Sequence, residues 1–279
     1  MMKKTLIGIV SCVLLLVCGF ALTGCMNQSS GPTVDQSWAD HETLSYSVYD
    51  SNKGNAKVGD ATFELVTLKY FTEEEKAAHG NADTKLTSVY NIGNATTSTV
   101  FYAKIYRTLS ITREYTDFEA PENNYTLQAR HDDKYYVYDL TYPNDASRNK
   151  SGKLNVGASG YTDNEFLYFF IRCYDLSSSA PSSINVADPF SDSVVKLSCS
   201  IAAQNAVVNT ETSLNATACY KVNVSRTQTP IGGGLSVYYL PKTAELTFGQ
   251  GSIIKSCGFP TRIEENNISF VLRDFSPNV

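Results

Sequence analysis

Residue types that carry catalysis are sparse in this sequence of 279 residues. Its three histidines are His41, His79 and His131, and His131 lies in the charged run Arg-His-Asp-Asp-Lys. Asp132 and Asp133 would point in different directions on a strand or a turn, and no second histidine is near them in the sequence. A hydrated hairpin loop therefore explains the run better than a metal site or an acid–base pair.

Two glycine-containing stretches also fail as catalytic motifs. The stretch GASGY (157–161) lacks both the Gly-x-Ser-x-Gly spacing and the following helix of a nucleophile elbow. The stretch PIGGGLS (230–236) lacks the lysine and the helix of a phosphate-binding loop, so it is better interpreted as a hairpin turn. We therefore predict a protein that is not an enzyme and has no catalytic residue, metal site or cofactor.

The residue with the clearest chemistry is Cys25. It follows a basic start at Lys3 and Lys4, an apolar run from Leu6 to Leu22 and the dipeptide Thr-Gly. This layout is typical of a secretory signal, and Leu-Thr-Gly-Cys resembles the lipobox of bacterial lipoproteins. The resemblance implies cleavage before Cys25 and attachment of a diacylglycerol to its sulfur. The alternatives are an ordinary cleaved signal and an uncleaved membrane anchor.

The lipobox interpretation divides the chain into three parts. Residues 1–24 are the predicted signal peptide, residues 25–38 the lipidated cysteine with a polar, flexible tether, and residues 39–279 a single β-rich domain. Two acyl chains, such as palmitate, give stable anchoring where one chain is marginal. We therefore predict an extracytoplasmic protein that the lipid on Cys25 anchors to the bacterial cell membrane.

The charge of the chain argues against some partners. Its formal net charge is −5, and loss of Lys3 and Lys4 with the signal makes it more negative. A mildly acidic chain without a basic stripe is not expected to bind nucleic acid. It also lacks a polybasic patch that would add electrostatic affinity for a membrane, so the lipid would supply the anchoring alone.

The cysteines that remain after Cys25 allow disulfides. They are Cys173, Cys199, Cys219 and Cys257, and an even number in an exported protein permits pairing. Cys199 and Cys219 lie on two successive predicted strands, which makes them the favoured pair. The alternative is four buried thiols that act as small apolar residues.

Alternation of apolar and polar residues predicts strands from the first residues of the domain. Residues 42–50 and 56–70 form a predicted hairpin around a Ser-Asn-Lys-Gly turn. Thr72 and Glu75 have the spacing of a capping box, and Gly80 can end a helix. A short surface helix is therefore predicted between Thr72 and Gly80.

The remaining strands set the expected fold class. Residues 98–112 are predicted as one long strand, residues 125–142 as two strands, and the following segment to about residue 160 as a loop. Six further strands follow residue 190. We predict a mainly β fold of the α+β class, with a curved antiparallel sheet or half-open barrel of about ten strands.

The segment TDNEFLYFFIRCYDLSS, which begins at Thr162, predicts the principal helix. Thr162 and Glu165 have capping-box spacing, and helical periodicity places apolar residues on more than half of the circumference, a wider arc than on a surface helix. A span of about 14 residues is too short to cross a bilayer, which needs about 20. We therefore predict a helix at about 163–176 that a curved sheet encloses on several sides, with Arg172 paired with Asp175 or with a strand residue.

This helix also supplies the candidate ligand pocket. Phe166, Phe169 and Phe170 would line a cavity between helix and sheet. Tyr168 and Arg172 would form its mouth, and the guanidinium suits a phosphate or carboxylate head group. A filled core would use the same side chains, so both alternatives stay open.

The same segment resembles the corresponding helix of bacterial envelope proteins grouped as domain of unknown function 3108. ETLSYSVY…VGDATFELV resembles the opening hairpin of that family, and GLSVYYLP…FPTRIEENNISFVL resembles its closing strands, with Pro-x-Arg-Ile at Pro260 to Ile263. The resemblance covers roughly residues 40–275 and implies an exported β-rich protein without an established activity. The acidic insert near residues 72–85 and the long stretch before FPTRI depart from the family pattern.

Three functional hypotheses follow from these features. The first is a non-enzymatic, lipid-anchored envelope protein that binds an apolar or lipid-like ligand. The second is a structural or protein-interaction lipoprotein with a filled core and no ligand. The third, which the absence of catalytic motifs disfavours, is a hydrolase without a recognisable motif. The predicted fold is similar to half-barrel lipoprotein carriers, but a shared fold does not assign a function.

The lipobox predicts that Cys25→Ala abolishes lipid attachment, because alanine has no thiol to acylate. Cells that express either form would be grown with a labelled fatty acid. We expect label on the wild-type protein alone, and a variant that is either uncut in the membrane or released without lipid. Wild-type protein that takes up no label would refute lipidation.

Overall fold

The computed structural model describes residues 38–104, 107–157, 161–162, 164–178, 180, 183–212, 217–226, 234–242, 244–248, 252–255 and 258–278. The predicted signal peptide, Cys25, nearly all of the predicted tether and Cys257 lie outside these residues. Within the described part, no helix has both the length and the apolar character that crossing a bilayer requires.

Strands make up most of the described fold. In chain order they are β1 His41–Asp50, β2 Ala56–Thr67, β3 Thr84–Ile92, β4 Ala95–Lys104, β5 Arg107–Asp117, β6 Tyr125–Asp132, β7 Tyr135–Thr141, β8 Lys150–Asn155, β9 Tyr161–Thr162, β10 Ile184–Asp188, β11 Ser193–Val208, β12 Thr217–Arg226, β13 Leu235–Tyr239, β14 Glu245–Phe248, β15 Ser252–Lys255, β16 Pro260–Glu265 and β17 Ile268–Asn278. The α-helices of the described residues are α1 Glu73–Ala78 and α2 Asn164–Arg172.

Fifteen of these strands form one sheet, and β14 pairs with β15 in a separate hairpin. The sheet joins two meanders: β1 to β8 run outward in chain order, β9 to β17 return from the opposite edge, and β17 pairs with β1. All pairs are antiparallel except the short β9–β10 pair. Because short turns can join antiparallel neighbours, the passage from β8 to β9 is the one that changes edges, and α2 follows it directly.

The sheet curls until its two edges approach each other. Lys150 Nζ at the start of β8 donates to the carbonyl oxygen of Phe190 at 2.7 Å, and the Tyr138 hydroxyl of β7 donates to Asp192 Oδ1 at 2.7 Å. Both acceptors lie in the turn between β10 and β11. The described chain is therefore a mainly β, nearly closed antiparallel barrel-like sheet, as predicted.

The predicted number of strands, about ten, is wrong. The segment predicted as one long strand, 98–112, divides between β4 and β5, and the predicted loop contains β8. Neither glycine nor proline occurs between Lys104 and Arg107, so the sequence carries no turn signal at that connection. The alternation of β3 is equally easy to miss, because threonine, serine and asparagine occupy four of its nine positions, and β10 has only five residues.

Two local predictions near the start of the domain are confirmed. The β1–β2 hairpin turns through Gly54 and Asn55, whose φ angles of 66° and 60° lie in the left-handed region that favours glycine and asparagine. Helix α1 has the predicted capping box: Thr72 Oγ1 accepts from the Glu75 amide at 3.1 Å, and the Thr72 amide donates to Glu75 Oε2 at 2.8 Å.

Helix α2 lies inside the curved sheet, as predicted. All side chains from Phe166 to Tyr174 are buried, including those outside the predicted apolar arc. The Phe169 ring packs 5.6 Å from Phe63 of β2, while on another side the Tyr239 hydroxyl of β13 donates to the Tyr168 carbonyl at 2.8 Å. The sheet thus contacts the helix from both meanders.

The boundaries of α2 differ from the prediction at its end. The helix stops at Arg172 instead of residue 176, and Asp175 forms a turn instead, because its Oδ1 accepts from the Ser177 amide at 3.1 Å. The Ser177 hydroxyl donates to the same oxygen, and the hydrogen bonds from Ser177 lower the pKa of the Asp175 carboxyl. The predicted capping box of Thr162 and Glu165 lies outside the described side chains.

The register of β1 to β6 aligns their inward side chains in three rows. We call the end of the sheet where β1 begins the near end, and the end where β1 finishes the far end. Each row is given in the order of strands β1 to β6. The near row is Glu42, Leu65, Leu86, Phe101, Ile111 and Ala129, and the middle row is Leu44, Phe63, Ser88, Thr99, Arg113 and Leu127. The far row is Tyr46, Ala61, Tyr90, Thr97, Tyr115 and Tyr125.

The core position of α2 predicts a large loss of stability for Phe169→Ala. Phe169 is 1 % exposed, and truncation of a buried phenylalanine costs about 3–5 kcal/mol of unfolding free energy. Phe118→Ala is the matched control, because Phe118 is 74 % exposed and should change stability by less than about 0.5 kcal/mol. Denaturant titration measures the unfolding free energy of both variants. If Phe169→Ala changed it as little as Phe118→Ala, the Phe169 side of the helix would be exposed to solvent.

Candidate functional site

A buried ion pair links α2 to the first strand. The guanidinium of Arg172 donates through both terminal nitrogens to the carboxylate of Glu42, with Nη2 at 3.2 Å from Oε2, and both side chains are almost wholly buried. The Ala39 amide donates to the same carboxylate at 3.3 Å. Of the two predicted alternatives, the structure therefore selects a strand residue, Glu42, and not Asp175, as the ion-pair partner of Arg172.

Two buried tyrosines surround this ion pair. Tyr46 donates to the carbonyl of Pro260 at 2.7 Å, and Tyr239 donates to the carbonyl of Tyr168. Burial raises the pKa of both phenols, and the positive charge of Arg172 opposes that shift. Both tyrosines therefore stay neutral donors that fix strands β1 and β13 around the helix.

The five residues of the predicted pocket are core residues. Phe166, Phe169, Phe170, Tyr168 and Arg172 are each 6 % exposed or less. Arg172 is neutralised by a strand carboxylate and Tyr168 packs against an aromatic ring of β2, so both side chains are buried in the described chain. The ligand pocket and its polar mouth stay a prediction.

A small cavity lies at the end of α2. Its volume is about 100 Å³, and its walls include Arg172, Asp175, Tyr220 and Lys242. A drug-sized ligand needs about 300–1,000 Å³, so this cavity suits a few water molecules. Of the five predicted pocket residues, Arg172 is the one that reaches it.

The inner face is more open at the far end of the sheet. Every residue of the near and middle rows is buried, whereas Tyr90, Thr97, Tyr115 and Tyr125 of the far row are half-buried. Tyr115 and Tyr125 stack with centroids 5.3 Å apart, and the Tyr125 ring lies edge-on to Phe190 at 5.1 Å. The near and middle rows of β3 to β6 are therefore covered, whereas the far row is in partial contact with solvent.

Glu265 faces the same opening from the other meander. It is the last residue of β16 and lies on the side of Ile263, which is buried inside the sheet. Its side chain is exposed, yet desolvation raises its pKa, while a hydrogen bond from Tyr168 lowers it.

The predicted disulfide between Cys199 and Cys219 is absent. Neither thiol forms a disulfide, because the register of β11 and β12 places Cys199 opposite Val224 and Cys219 opposite Ala206. The two cysteines are therefore about 16 Å apart along the strands, whereas a disulfide joins Cα atoms about 4.4–6.8 Å apart. Burial raises the pKa of the Cys199 thiol to about 12.

The histidines contribute to structure in the described chain. Desolvation, helped by the charge of Arg107, lowers the pKa of His131 to about 4, and Arg107 Nη2 lies 2.8 Å from His131 Nε2. His79 stacks on Tyr102 at 3.6 Å. Among the described residues, no group of three or more His, Cys, Asp or Glu side chains could hold a metal ion.

The fold and this inner face define the described chain as an antiparallel, barrel-like β protein with an internal helix. No family model matches the chain, and no curated protein matches it with significance. Among solved structures, it is similar to a β-barrel-like protein of domain of unknown function 1849 from Brucella abortus, with 8 % sequence identity and a TM-score of 0.48. That match covers 87 % of this chain and 99 % of the other. Membership of the family of domain of unknown function 3108 stays a prediction.

The ion pair predicts strong non-additivity between Glu42 and Arg172. Arg172→Met alone leaves a buried carboxylate without its countercharge, and such a loss costs about 3–5 kcal/mol of unfolding free energy. Adding Glu42→Leu removes the uncompensated carboxylate, so the double variant should recover most of the lost unfolding free energy. Denaturant titration of the four proteins gives the coupling energy. If the double variant loses as much unfolding free energy as the two single variants together, the ion pair does not act as one unit in holding α2.

Proposed function

We propose that this protein is a lipid-anchored, extracytoplasmic binding protein whose ligand is an apolar, lipid-like molecule. The observation that carries the proposal is the half-buried aromatic far row on the inner face of the sheet, at Tyr90, Tyr115 and Tyr125. Inward aromatic side chains that the internal helix leaves partly exposed are typical of ligand sites, which are mostly apolar with a few polar groups.

The proposed site lies at the far end, next to the rim formed by the β5–β6 and β10–β11 connections. Phe190, in the second of these connections, is 37 % exposed and packs against Tyr125. Aromatic rings of this kind offer a large apolar contact area together with a polar edge. An acyl chain could therefore lie along the far row without disturbing α2.

The proposed anchor would attach at the near end of the sheet. Trp38, the first described residue, is 6 % exposed and packs in the core before β1 begins. The proposed lipid on Cys25 would keep the domain close to a membrane, where acyl chains are abundant. Membership of the family of domain of unknown function 3108 would agree with this proposal but assigns no ligand.

A structural or protein-interaction role is the second candidate. The observation in its favour is that α2 joins the sheet in one continuous core, which includes four of the five residues first predicted to line a pocket, Phe166, Tyr168, Phe169 and Phe170. If the far row is covered by another protein instead of a small molecule, the same aromatic residues would serve as an interface.

The test is ligand content measured by native mass spectrometry of the chain from Trp38 onward, purified without detergent. We expect bound lipid, and uptake of a fluorescent fatty acid by protein that is first stripped. Thr97→Trp should reduce both, because Thr97 lies between Tyr90 and Tyr115 in the far row. Thr96→Trp is the matched control, since the neighbouring residue points to the other face of β4.

Two outcomes would decide against the carrier role. Wild-type protein that is empty and takes up no fatty acid would leave the structural role. Equal loss of uptake in Thr97→Trp and Thr96→Trp would show that the far row is not the binding surface.

A further inference from the structure

A polar group interrupts the apolar inner face directly behind the half-buried far row. Ser88, Thr99 and Arg113 are consecutive partners across β3, β4 and β5 in the middle row. All three are buried, with exposures of 0 %, 0 % and 7 %. We call these residues the polar triad.

Arg113 places a permanent positive charge inside the sheet. Its Nε donates to Thr99 Oγ1 at 3.2 Å, which orients the guanidinium along the inner face. A guanidinium has five N–H donors in a planar fork that matches carboxylate and phosphate oxygens. It can therefore bind an additional anionic group while it keeps the protein contacts that already hold it.

Ser88 supplies a second and independent sign of a ligand. Its hydroxyl is fully buried and has no hydrogen-bond partner within the described chain. An unsatisfied buried polar group destabilises a fold by about 1–3 kcal/mol, so native proteins keep few of them. A hydroxyl that faces the interior beside Thr99 gains a partner when a polar group of a ligand occupies that position.

We propose that the polar triad binds the anionic head group, a carboxylate or a phosphate, of the lipid-like ligand. This inference rests on the proposed function, since the acyl part would lie along Tyr90, Tyr115 and Tyr125 of the far row. The head group would enter deepest, with Arg113 as its charged donor and Ser88 as a neutral donor.

The acidic residue of the opening does not occupy the same position. Glu265 faces the interior from β16 and pairs with Ile268, which in turn is aligned with Asp50 at the far end of β1. It therefore lies nearer the rim than the middle row, on the other meander.

The test compares two photoactivatable probes that differ only in the head group, a long-chain fatty acid and the fatty alcohol of the same length. Each is added to the full-length chain in lipid nanodiscs and crosslinked, and labelling is normalised to that of the nanodisc lipid. Peptide mapping then measures labelling of β3 to β6. We expect the acid to label these peptides about tenfold more than the alcohol, as loss of a charged hydrogen bond implies.

Variants connect the preference to the triad. Arg113→Gln should bring the ratio of acid to alcohol labelling close to one. Arg130→Gln is the matched control, because Arg130 is an exposed arginine on neighbouring β6, and it should keep the wild-type ratio. Circular dichroism and thermal unfolding report whether each variant folds.

Ser88→Ala keeps the test decisive if Arg113→Gln fails to fold. It removes an unsatisfied hydroxyl, so the ligand-free protein should be at least as stable as wild type, while the preference for the acid falls about threefold or more. A purely structural serine would not combine unchanged stability with weaker acid binding. An unchanged preference in folded Ser88→Ala would overturn the proposed head-group site.

The outcomes separate this inference from the proposed function. Equal labelling of β3 to β6 by acid and alcohol would overturn the anionic head-group site and leave the carrier role intact. Absence of labelling by either probe would overturn both. Preference for the acid that disappears in Arg113→Gln and persists in Arg130→Gln would support both.

Discussion

The bidentate ion pair between Arg172 and Glu42 is the interaction on which the arrangement of the sheet depends. It joins the last residue of the internal helix to an inward residue near the start of β1. Neither charge can stay buried without the other, because an isolated ion in the interior is strongly destabilising. The position of α2 relative to the first strand is therefore set by charge as well as by apolar packing.

This constraint matters because of where the helix lies in the chain. The first meander ends at one edge of the sheet, and the second begins at the opposite edge. The chain passes between these edges just before α2 begins, and α2 lies inside the sheet where the second meander starts its return to β17, which pairs with β1. Tyr239, whose hydroxyl donates to the Tyr168 carbonyl, attaches the returning strands to the same helix.

Local signals in the sequence predicted local structure well. The capping box of Thr72 and Glu75, the turn at Gly54 and the enclosed apolar helix all depend on residues within one or two turns of each other. The connection at 105–106 has no glycine or proline and was missed, which merged β4 and β5. The number of strands was underestimated for two reasons. No glycine or proline marked the turn between β4 and β5, and hydroxyl side chains hid the alternation of β3.

Long-range features could be predicted only in part. That Arg172 needs a buried countercharge follows from its place in an apolar helix, but the identity of Glu42 depends on the register of a strand 130 residues away in sequence. The disulfide prediction failed for the same reason, since adjacent strands do not bring their cysteines together unless the register does. Ser88, Thr99 and Arg113 are ordinary residues of alternating strands, and they form a group only when three strands pair.

The dimensions of the elements explain why one end of the inner face is packed and the other is open. A helix of nine residues is about 14 Å long, whereas a strand of ten residues extends about 33 Å. Whatever its direction, α2 is too short to fill the concave face along the whole length of β1 to β6. Its ion pair with Glu42 holds it against the near and middle rows, so the uncovered surface falls at the far row, directly in front of the buried polar triad.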